Sequence, residues 1–274
     1  MTKDKFKATW VSHSSIGDFL KCPRLYYLRA MYKDPITGHK INRVTPPLSR
    51  GQVVHSVLES LSTLPQEERF KVSPLTKFKA EWDKVSGKRG GFKSKEEEDN
   101  YKEQARSMIQ MVTENPGPLS NKAVKIKGDL PYYWISEDEN IILCGKIDWL
   151  EYLPITDSVH IVDFKTGREE EDEDSLQLPI YHLLVANTQS RKVDRASYWY
   201  LAGDGKLVEK KLPELSAAHR KVLKIAKRIQ LARQIEHLKC PHGGCNYCIP
   251  FEEIVKGKGE LVGVSGYNQD IYVI

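Results

Sequence analysis

The chain has 274 residues, a formal net charge of +5, and 40% hydrophobic and 29% charged residues. These values are ordinary for a globular protein with one large core. No apolar run approaches the roughly 20 residues that a membrane-spanning helix needs, so we expect no membrane association. The first seven residues, MTKDKFK, include charges and no apolar segment. They predict the absence of a secretion signal and a cytoplasmic location.

The N-terminal part, residues 12–120, is predicted to be helical. Three serines near residue 12 are typical of a helix start, and the apolar residues behind them predict a helix over 12–33. A stretch with proline and glycine over 34–49 predicts a loop. Further helices are predicted over 51–63, 74–85 and 95–115, with a Gly- and Lys-rich flexible loop over 86–94.

The next part, residues 121–212, is predicted to form a catalytic sheet. Its strands are predicted over 123–135, 140–152, 158–165, 194–202 and 206–212, with a helix over 175–188. The predicted fold class is therefore α/β, with a mixed central sheet and helices on both sides.

The last predicted helix lies within residues 213–256. From Leu215 to Ala232, apolar residues recur at spacings of three and four, which is typical of an amphipathic helix. Its other positions include many lysines and arginines. Such a basic face either follows a phosphate backbone or is the solvated side of a surface helix. We expect residues 1–274 to form a single domain.

Two carboxylates and a lysine stand out in the predicted strands. Asp163 and Lys165 are two residues apart in a run of β-branched and aromatic residues, so both side chains leave one face of a strand. Asp148 lies in the preceding predicted strand. Because the residues from Tyr152 to Ser158 have the composition of a hairpin turn, we expect Asp148 to lie alongside Asp163.

Such a trio suits the hydrolysis of a phosphodiester. Hard divalent cations held by carboxylate oxygens neutralise phosphate charge and make a water nucleophilic. A neighbouring lysine can orient or deprotonate that water. The alternative is an exposed Asp–Lys ion pair of little energetic value.

Two further pairs have helical spacing. His55 and Glu59 are four residues apart in an apolar stretch, and therefore share one helix face. Imidazole is a good ligand for Mn²⁺, whereas Glu59 is interpreted as a solvated helix position. Gln177 and Tyr181 are also four apart and could hold a phosphate or the lysine. The acidic residues 169–174, which follow the Asp163 strand, are interpreted as a solvated, mobile loop.

In chain order, these residues resemble the RecB-like branch of the PD-(D/E)XK nuclease superfamily, which includes CRISPR-associated and recombination-associated exonucleases. The resemblance covers most of residues 12–250 and rests on motifs in the family's order. The motifs are Ser14-Ser15-Ile16 with Cys22-Pro23-Arg24-Leu25-Tyr26-Tyr27, Gly51 to His55, Gly145 to Asp148, Val162 to Lys165, and Gln177 to Tyr181.

The resemblance implies a restriction-endonuclease-like core with an N-terminal helical elaboration and a C-terminal cysteine cluster. It also implies an active site that binds Mg²⁺ or Mn²⁺. The implied metal ligands are His55, Asp148, Asp163 and the backbone carbonyl of Phe164. The implied catalytic residues are Lys165, Asp163, Asp148, Gln177 and Tyr181.

The implied activity is that of a DNA exonuclease, acting on single strands or DNA ends in recombination, repair or CRISPR-type processing. The chain lacks a P-loop, so ATP-driven unwinding would have to come from a partner such as a helicase. Recombination or CRISPR adaptation proteins are the other implied partners. One alternative is a nuclease-like DNA-binding or structural subunit of a larger complex with little activity of its own. Another is a zinc-stabilised enzyme of other phosphodiester chemistry.

The cysteines give a second prediction. Cys240, Cys245 and Cys248 lie within nine residues, among glycines that let the backbone wrap around an ion. A reducing compartment disfavours disulfides, which leaves metal or cluster binding as the stronger interpretation. By the same resemblance, Cys22 joins these three thiols to hold a [4Fe-4S] cluster that connects the two ends of the domain.

Other interpretations of the cysteines stay open. The family's usual order places a Cys-x2-Cys pair first, whereas here the closely spaced pair comes last. Zinc held by four thiolates uses the same residues, and His242 could replace Cys22 to give three thiolates and one imidazole. Cys144 lies in an apolar predicted strand and is interpreted as a small core residue.

Overall fold

The structure, a computed structural model, describes residues 4–126, 128 and 130–274. Predictions for residues 1–3, and for positions 127 and 129 of the predicted strand over 123–135, lie outside the described residues. The fold comprises two compact units. The terminal unit contains Met1–Thr45, Tyr133–Cys144 and His219–Ile274, and the central unit contains Pro46–Tyr132 and Gly145–Ala218. That residues 1–274 form a single domain stays a prediction.

The described residues form α-helices and β-strands. The helices are α1 (His13–Lys21), α2 (Pro23–Tyr26), α3 (Pro46–Ser60), α4 (Leu75–Asp83), α5 (Lys95–Glu114), α6 (Gln177–Thr188), α7 (Leu215–Gln234) and α8 (Ile249–Val255). The strands are β1 (Thr9–Val11), β2 (Lys40–Arg43), β3 (Tyr132–Ser136), β4 (Ile141–Cys144), β5 (Trp149–Leu153), β6 (Ser158–Lys165), β7 (Val193–Tyr200), β8 (Lys206–Lys210), β9 (Glu260–Val264) and β10 (Gln269–Val273).

The central unit is built on a mixed sheet with the strand order β5-β6-β7-β8. The β5–β6 and β7–β8 pairs are antiparallel, and the β6–β7 pair is parallel. Parallel neighbours need a crossover connection, which α6 supplies. The prediction of a mixed α/β sheet is therefore confirmed, as is the hairpin that joins the Asp148 and Asp163 segments.

Helices cover both faces of this sheet. Because side chains alternate along a strand, Val162 and Phe164 of β6 leave the face opposite to that of Asp163 and Lys165. The first face packs in a hydrophobic core with α3, α4 and α5, in which Trp82 is fully buried. The second face meets α6, whose first residue hydrogen-bonds to Asp163. At its C-terminal end, the strand thus carries Val162 and Phe164 toward the core and Asp163 and Lys165 on the other side.

The terminal unit contains two three-stranded sheets, with the orders β1-β4-β3 and β2-β10-β9. Four of these strands, β1, β2, β9 and β10, were not predicted. The amphipathic prediction for α7 holds at Ala218, Val222 and Ile229, which are buried. Part of its basic face makes protein contacts, since Lys227 Nζ lies 2.6 Å from Glu139 Oε1. Among the described helices, none is long and apolar enough to cross a membrane.

Several predicted boundaries are wrong for identifiable reasons. The helix expected over 12–33 is interrupted at Cys22, which is extended because it precedes a proline. The loop expected over 34–49 contains β2 and the first turn of α3, where prolines are tolerated. The flexible loop expected over 86–94 is packed, since Phe92 stacks on Trp82 at a ring-centroid distance of 5.7 Å.

The strand expected over 140–152 is also wrong, because it is two strands, β4 and β5, with an irregular segment between them. In that segment, the Gly145 N–H donates to the Pro131 carbonyl. A Cβ at Gly145 would lie 2.9 Å from Leu184 Cδ1, so only glycine fits without a shift. The strand expected over 123–135 is regular only in β3, with an isolated bridge from Ala123 to Glu151.

Arg69 is a buried arginine that connects several segments of the central unit. Its side chain is 3% exposed, and its Nε and Nη1 donate to the carbonyls of Leu61 (3.1 Å) and Leu119 (2.9 Å). Nη1 also donates to the Asn121 carbonyl, and the guanidinium lies 5.0 Å from the centre of the Trp149 ring. Trp149 directly follows Asp148, so Arg69 supports the strand end that carries this carboxylate.

We therefore expect Arg69→Met to lower the free energy of unfolding by roughly 2–4 kcal/mol, because buried carbonyls lose their donor. Urea unfolding followed by circular dichroism measures this. The matched control is Arg191→Met, which removes a partly exposed arginine whose ion pair is with an exposed aspartate, and it should shift the midpoint far less. Equal midpoints for Arg69→Met and the parent protein would contradict this role.

Candidate active site and cysteine cluster

The centre of the candidate active site is the meeting of Asp148 and Asp163. Trp149 pairs with Val162 in the antiparallel β5–β6 ladder, so Asp148 lies next to the end of β6. The Phe164 N–H donates to Asp148 Oδ2 at 2.8 Å. This backbone bond fixes the carboxylate, and the predicted approach of Asp148 to Asp163 is confirmed. The Phe164 side chain is buried, and the role of its carbonyl as a metal ligand stays a prediction.

Helix α3 brings His55 and Glu59 to the same place. His55 Nδ1 lies 3.3 Å from Asp148 Oδ1 and 3.6 Å from Glu59 Oε1. One ligand atom from each of these three residues lies within 4.8 Å of the others. A Cβ at Gly51 would lie only 3.0 Å from Thr166 Oγ1, so this glycine lets α3 approach the end of β6.

The interpretation of Glu59 as a solvated position is wrong. Its side chain is only 16% exposed, faces His55, and forms an ion pair with Lys146. Its spacing of four residues from His55 was the available sequence signal. Periodicity places the two residues on one face but does not reveal what that face meets.

The electrostatics around His55 favour a cation. Burial alone would lower the pKa of His55, but the Asp148 carboxylate, together with Glu59, raises it to about 10. Two carboxylates that stabilise an imidazolium so strongly would also stabilise a divalent ion at the same position.

Asp163 is the most buried of the site's acids, at 1% exposure. Its Oδ1 accepts a hydrogen bond from Gln177 Nε2 at 2.7 Å. Lys165 Nζ lies 3.0 Å from its Oδ2, as an ion pair without the alignment of a hydrogen bond. Burial raises the pKa of Asp163, the Asp148 carboxylate raises it further, and the value reaches about 7 despite Lys165.

Gln177, Tyr181 and Glu171 surround the lysine. Lys165 Nζ donates to Gln177 Oε1, and Gln177 Nε2 lies 3.3 Å from the Tyr181 hydroxyl. The Lys165 ammonium also lies 2.9 Å from Glu171 Oε2. The interpretation of residues 169–174 as a solvated loop is therefore wrong for Glu171. Gln177 and Tyr181 share one face of α6, with Pro179 in its first turn, as predicted.

These residues fit Mg²⁺ or Mn²⁺. Asp163 Oδ2 is buried and has no hydrogen-bond donor among the described residues, so it retains a lone pair for a ligand. Carboxylate oxygens with one imidazole are the ligands that hard divalent cations accept. His55, Glu59 and Asp148 are the side chains that could hold such an ion together. Asp163 lies outside this group, so its role as a metal ligand stays a prediction.

Four cysteines of the terminal unit form a second candidate site. The sulfurs of Cys22, Cys240, Cys245 and Cys248 all lie within 4.8 Å of one another. Cys22 precedes α2 and Cys248 precedes α8, and both are buried. The cluster thus joins residues more than 200 positions apart in the sequence.

The surroundings of the cysteines fit a metal or an iron–sulfur cluster. Arg24 Nε donates to Glu252 Oε1 at 2.5 Å, which connects α2 to α8 beside the thiols. The backbone N–H of Cys248 lowers the pKa of Cys245 to about 7, whereas burial raises the pKa of Cys22 and that of Cys248. Cys245 therefore ionises most easily of these three, and the two buried thiols need a bound cation to ionise, as metal ligands must. His242 is outside the metal-binding groups found among the described residues.

Cys144 differs from the other four cysteines. It is buried, and its thiol lies 3.5 Å from the Val11 carbonyl. Burial raises the pKa of Cys144 to about 11, so it stays protonated. Its interpretation as a core residue is confirmed.

Comparison with known proteins identifies a family. The model of a family described as the PD-(D/E)XK nuclease superfamily matches residues 10–252, a range that holds both candidate sites. No match was found among the curated proteins that were searched. The mixed sheet with flanking helices is consistent with the restriction-endonuclease-like fold, as predicted.

We expect the cysteine cluster to retain iron or zinc in protein purified without oxygen. Cys248→Ser should lose most of the bound metal and lower the melting temperature, because the ligands connect distant parts of the terminal unit. Elemental analysis by mass spectrometry measures the metal and identifies it. The matched control Cys144→Ala should keep the metal content of the parent. Equal metal content in Cys248→Ser and the parent would contradict this assignment.

Proposed function

Because the chain belongs to the PD-(D/E)XK nuclease superfamily, we propose that it is a divalent-metal-dependent nuclease whose substrate is DNA. The observation that carries the proposal is that the adjacent ends of β5 and β6 bring together two contacting pairs, His55 with Asp148 and Lys165 with Asp163. Members of this superfamily are mostly nucleases, and they typically use Mg²⁺ or Mn²⁺. A complete set of acids with a lysine is what an active member needs.

In the proposed mechanism, His55, Glu59, Asp148 and Asp163 hold the metal. The bound ion supplies charge neutralisation at the phosphate and a more acidic water. Asp163, Glu171 and Gln177 hold the Lys165 ammonium in place. From this position, Lys165 orients the attacking water and donates to the phosphate. The products would carry 5′-phosphate and 3′-hydroxyl ends.

Gln177 and Tyr181 act as positioning residues in this mechanism. Gln177 donates to Asp163 and accepts from Lys165, so a single amide fixes the acid and the lysine relative to each other. Burial and the two aspartates raise the pKa of Tyr181 well above its ordinary value. Its hydroxyl therefore stays protonated and is able to donate.

The finer assignment is to the RecB-like branch, as an exonuclease on single strands or DNA ends. The grouping of one N-terminal cysteine with three C-terminal ones supports this branch. Four thiolates fit either zinc or a cluster, and we favour a [4Fe-4S] cluster on the family resemblance. A helicase, or recombination or CRISPR adaptation proteins, are the proposed partners. The complete acidic site argues against the alternative of a structural subunit without activity.

We expect Asp163→Ala and Lys165→Ala each to reduce DNA cleavage by a factor of about 100 or more, because each removes charge stabilisation at the reacting phosphate. End-labelled single- and double-stranded DNA, incubated with Mg²⁺, Mn²⁺ or EDTA, measures the rate and the polarity. The matched control Asp194→Ala removes an exposed aspartate and should cut at the parental rate. Unchanged cleavage by Asp163→Ala would overturn the proposal, and binding without cleavage by the parent would favour the structural-subunit alternative.

A further inference from the structure

A pocket other than the candidate active site lies in the central unit, at the carboxyl ends of the parallel strands β6 and β7. It has a volume of about 250 Å³ and is lined by Arg50 of α3, Arg168 after β6, the segment 201–203 after β7, and both polar residues and methionines of α5. Crevices at the carboxyl ends of parallel strands are common ligand sites. A volume below the roughly 300 Å³ of the smallest drug-sized pockets suits a small group.

Two arginines, Arg50 and Arg168, provide the positive charge of this pocket. Arg50 Nη2 donates to the Thr166 carbonyl at 2.7 Å, and Nη1 donates to Gln104. The Arg50 guanidinium also lies 5.5 Å from the centre of the Tyr101 ring. These contacts aim the guanidinium without neutralising it, since none of the three partners is a carboxylate.

Arg50 retains hydrogen-bonding capacity after these contacts. A guanidinium has five N–H donors, and the two described hydrogen bonds leave three of them. One of the three, on Nε, is buried and has no acceptor among the described residues. Burial lowers the pKa of Arg50, and the nearby Arg168 lowers it further. Two like charges in one small pocket repel each other unless an anion lies between them.

Glu103 is the one acid among the lining residues. Its side chain is 68% exposed and lies 3.9 Å from Arg106 Nη1, so the lining holds two arginines against one solvated carboxylate. Asn100, Gln104 and Ser107 add neutral polar groups to the lining. The lining therefore favours an anion with several acceptor oxygens, which a planar guanidinium can bind through two parallel hydrogen bonds.

We propose that this pocket binds a phosphate group of the substrate strand, with Arg50 and Arg168 as its cationic contacts. The position supports this, because the Thr166 carbonyl that Arg50 holds directly follows Lys165. A strand whose reacting phosphate lies at Lys165 would present a second phosphate nearby. This inference rests on the proposed nuclease function for the identity of the strand.

The pocket would contact phosphate oxygens, and a DNA strand offers two kinds of phosphate. One is an internal phosphodiester of the strand, and the other is a terminal 5′-phosphate. A single-stranded DNA oligonucleotide with a 3′-fluorophore, made with either a 5′-phosphate or a 5′-hydroxyl, separates the two sources. Fluorescence anisotropy in EDTA measures the affinity without cleavage.

We expect Arg168→Gln to weaken binding of the phosphorylated oligonucleotide about tenfold at low salt. The slope of log affinity against log salt concentration should fall in magnitude by about 0.7, the contribution of one phosphate contact on a single strand. Arg168→Lys should keep the slope, because it keeps the charge. A loss only on the phosphorylated oligonucleotide identifies a terminal phosphate, and an equal loss on both identifies an internal one.

The matched control is Arg191→Gln, which removes an arginine outside this pocket and should bind as the parent does. Parental affinity and slope in Arg168→Gln, or an equal loss in Arg191→Gln, would overturn the pocket assignment. An absence of binding by the parent would overturn it as well. Because binding is measured without cleavage, a parent that binds through Arg168 but does not cut would contradict only the nuclease function.

Discussion

The whole candidate site depends on keeping a carboxylate ionised inside the protein. Asp163 is almost completely buried, and an unpaired buried charge is strongly unfavourable. The Gln177 amide and the Lys165 ammonium offset part of this penalty, and a buried Oδ2 is left without a donor. The remaining electrostatic demand is for a cation. His55, Glu59 and Asp148 form a group that could hold such a cation, and we propose that Asp163 shares it.

The need to position these carboxylates inside the protein also explains features that are far apart in the sequence. Gly51 lets α3 approach β6, and Gly145 lets the irregular segment before Asp148 pack beside Leu184. Arg69 holds Trp149, the residue after Asp148, through a ring contact. Each feature positions a carboxylate rather than contributing one. The terminal unit is held together differently. Its sheets are small, and its cysteines and the Arg24–Glu252 ion pair connect segments that are distant in the sequence.

Much of the central unit could be predicted because its pattern is local. The alternation along β6 places Asp163 and Lys165 on one face, and the four-residue spacing of Gln177 and Tyr181 places both on one face of α6. The short strands β1, β2, β9 and β10 could not be predicted, since each is three to five residues long. The partners of β1 and β2 are remote in the sequence, as in the pairing of Asp270 with Ile41, whereas β9 and β10 form a local hairpin. The roles of Glu59 and Glu171 could not be predicted either, because they depend on tertiary neighbours and not on sequence pattern.

The most direct test of this account is to locate the metal. Crystals grown with Mn²⁺ and measured at a wavelength where manganese scatters anomalously would show it independently of any activity. The account predicts a peak bounded by the side chains of His55, Glu59, Asp148 and Asp163, and its loss in Asp163→Ala crystals. Manganese that binds elsewhere, or an occupied site that persists in Asp163→Ala, would contradict it.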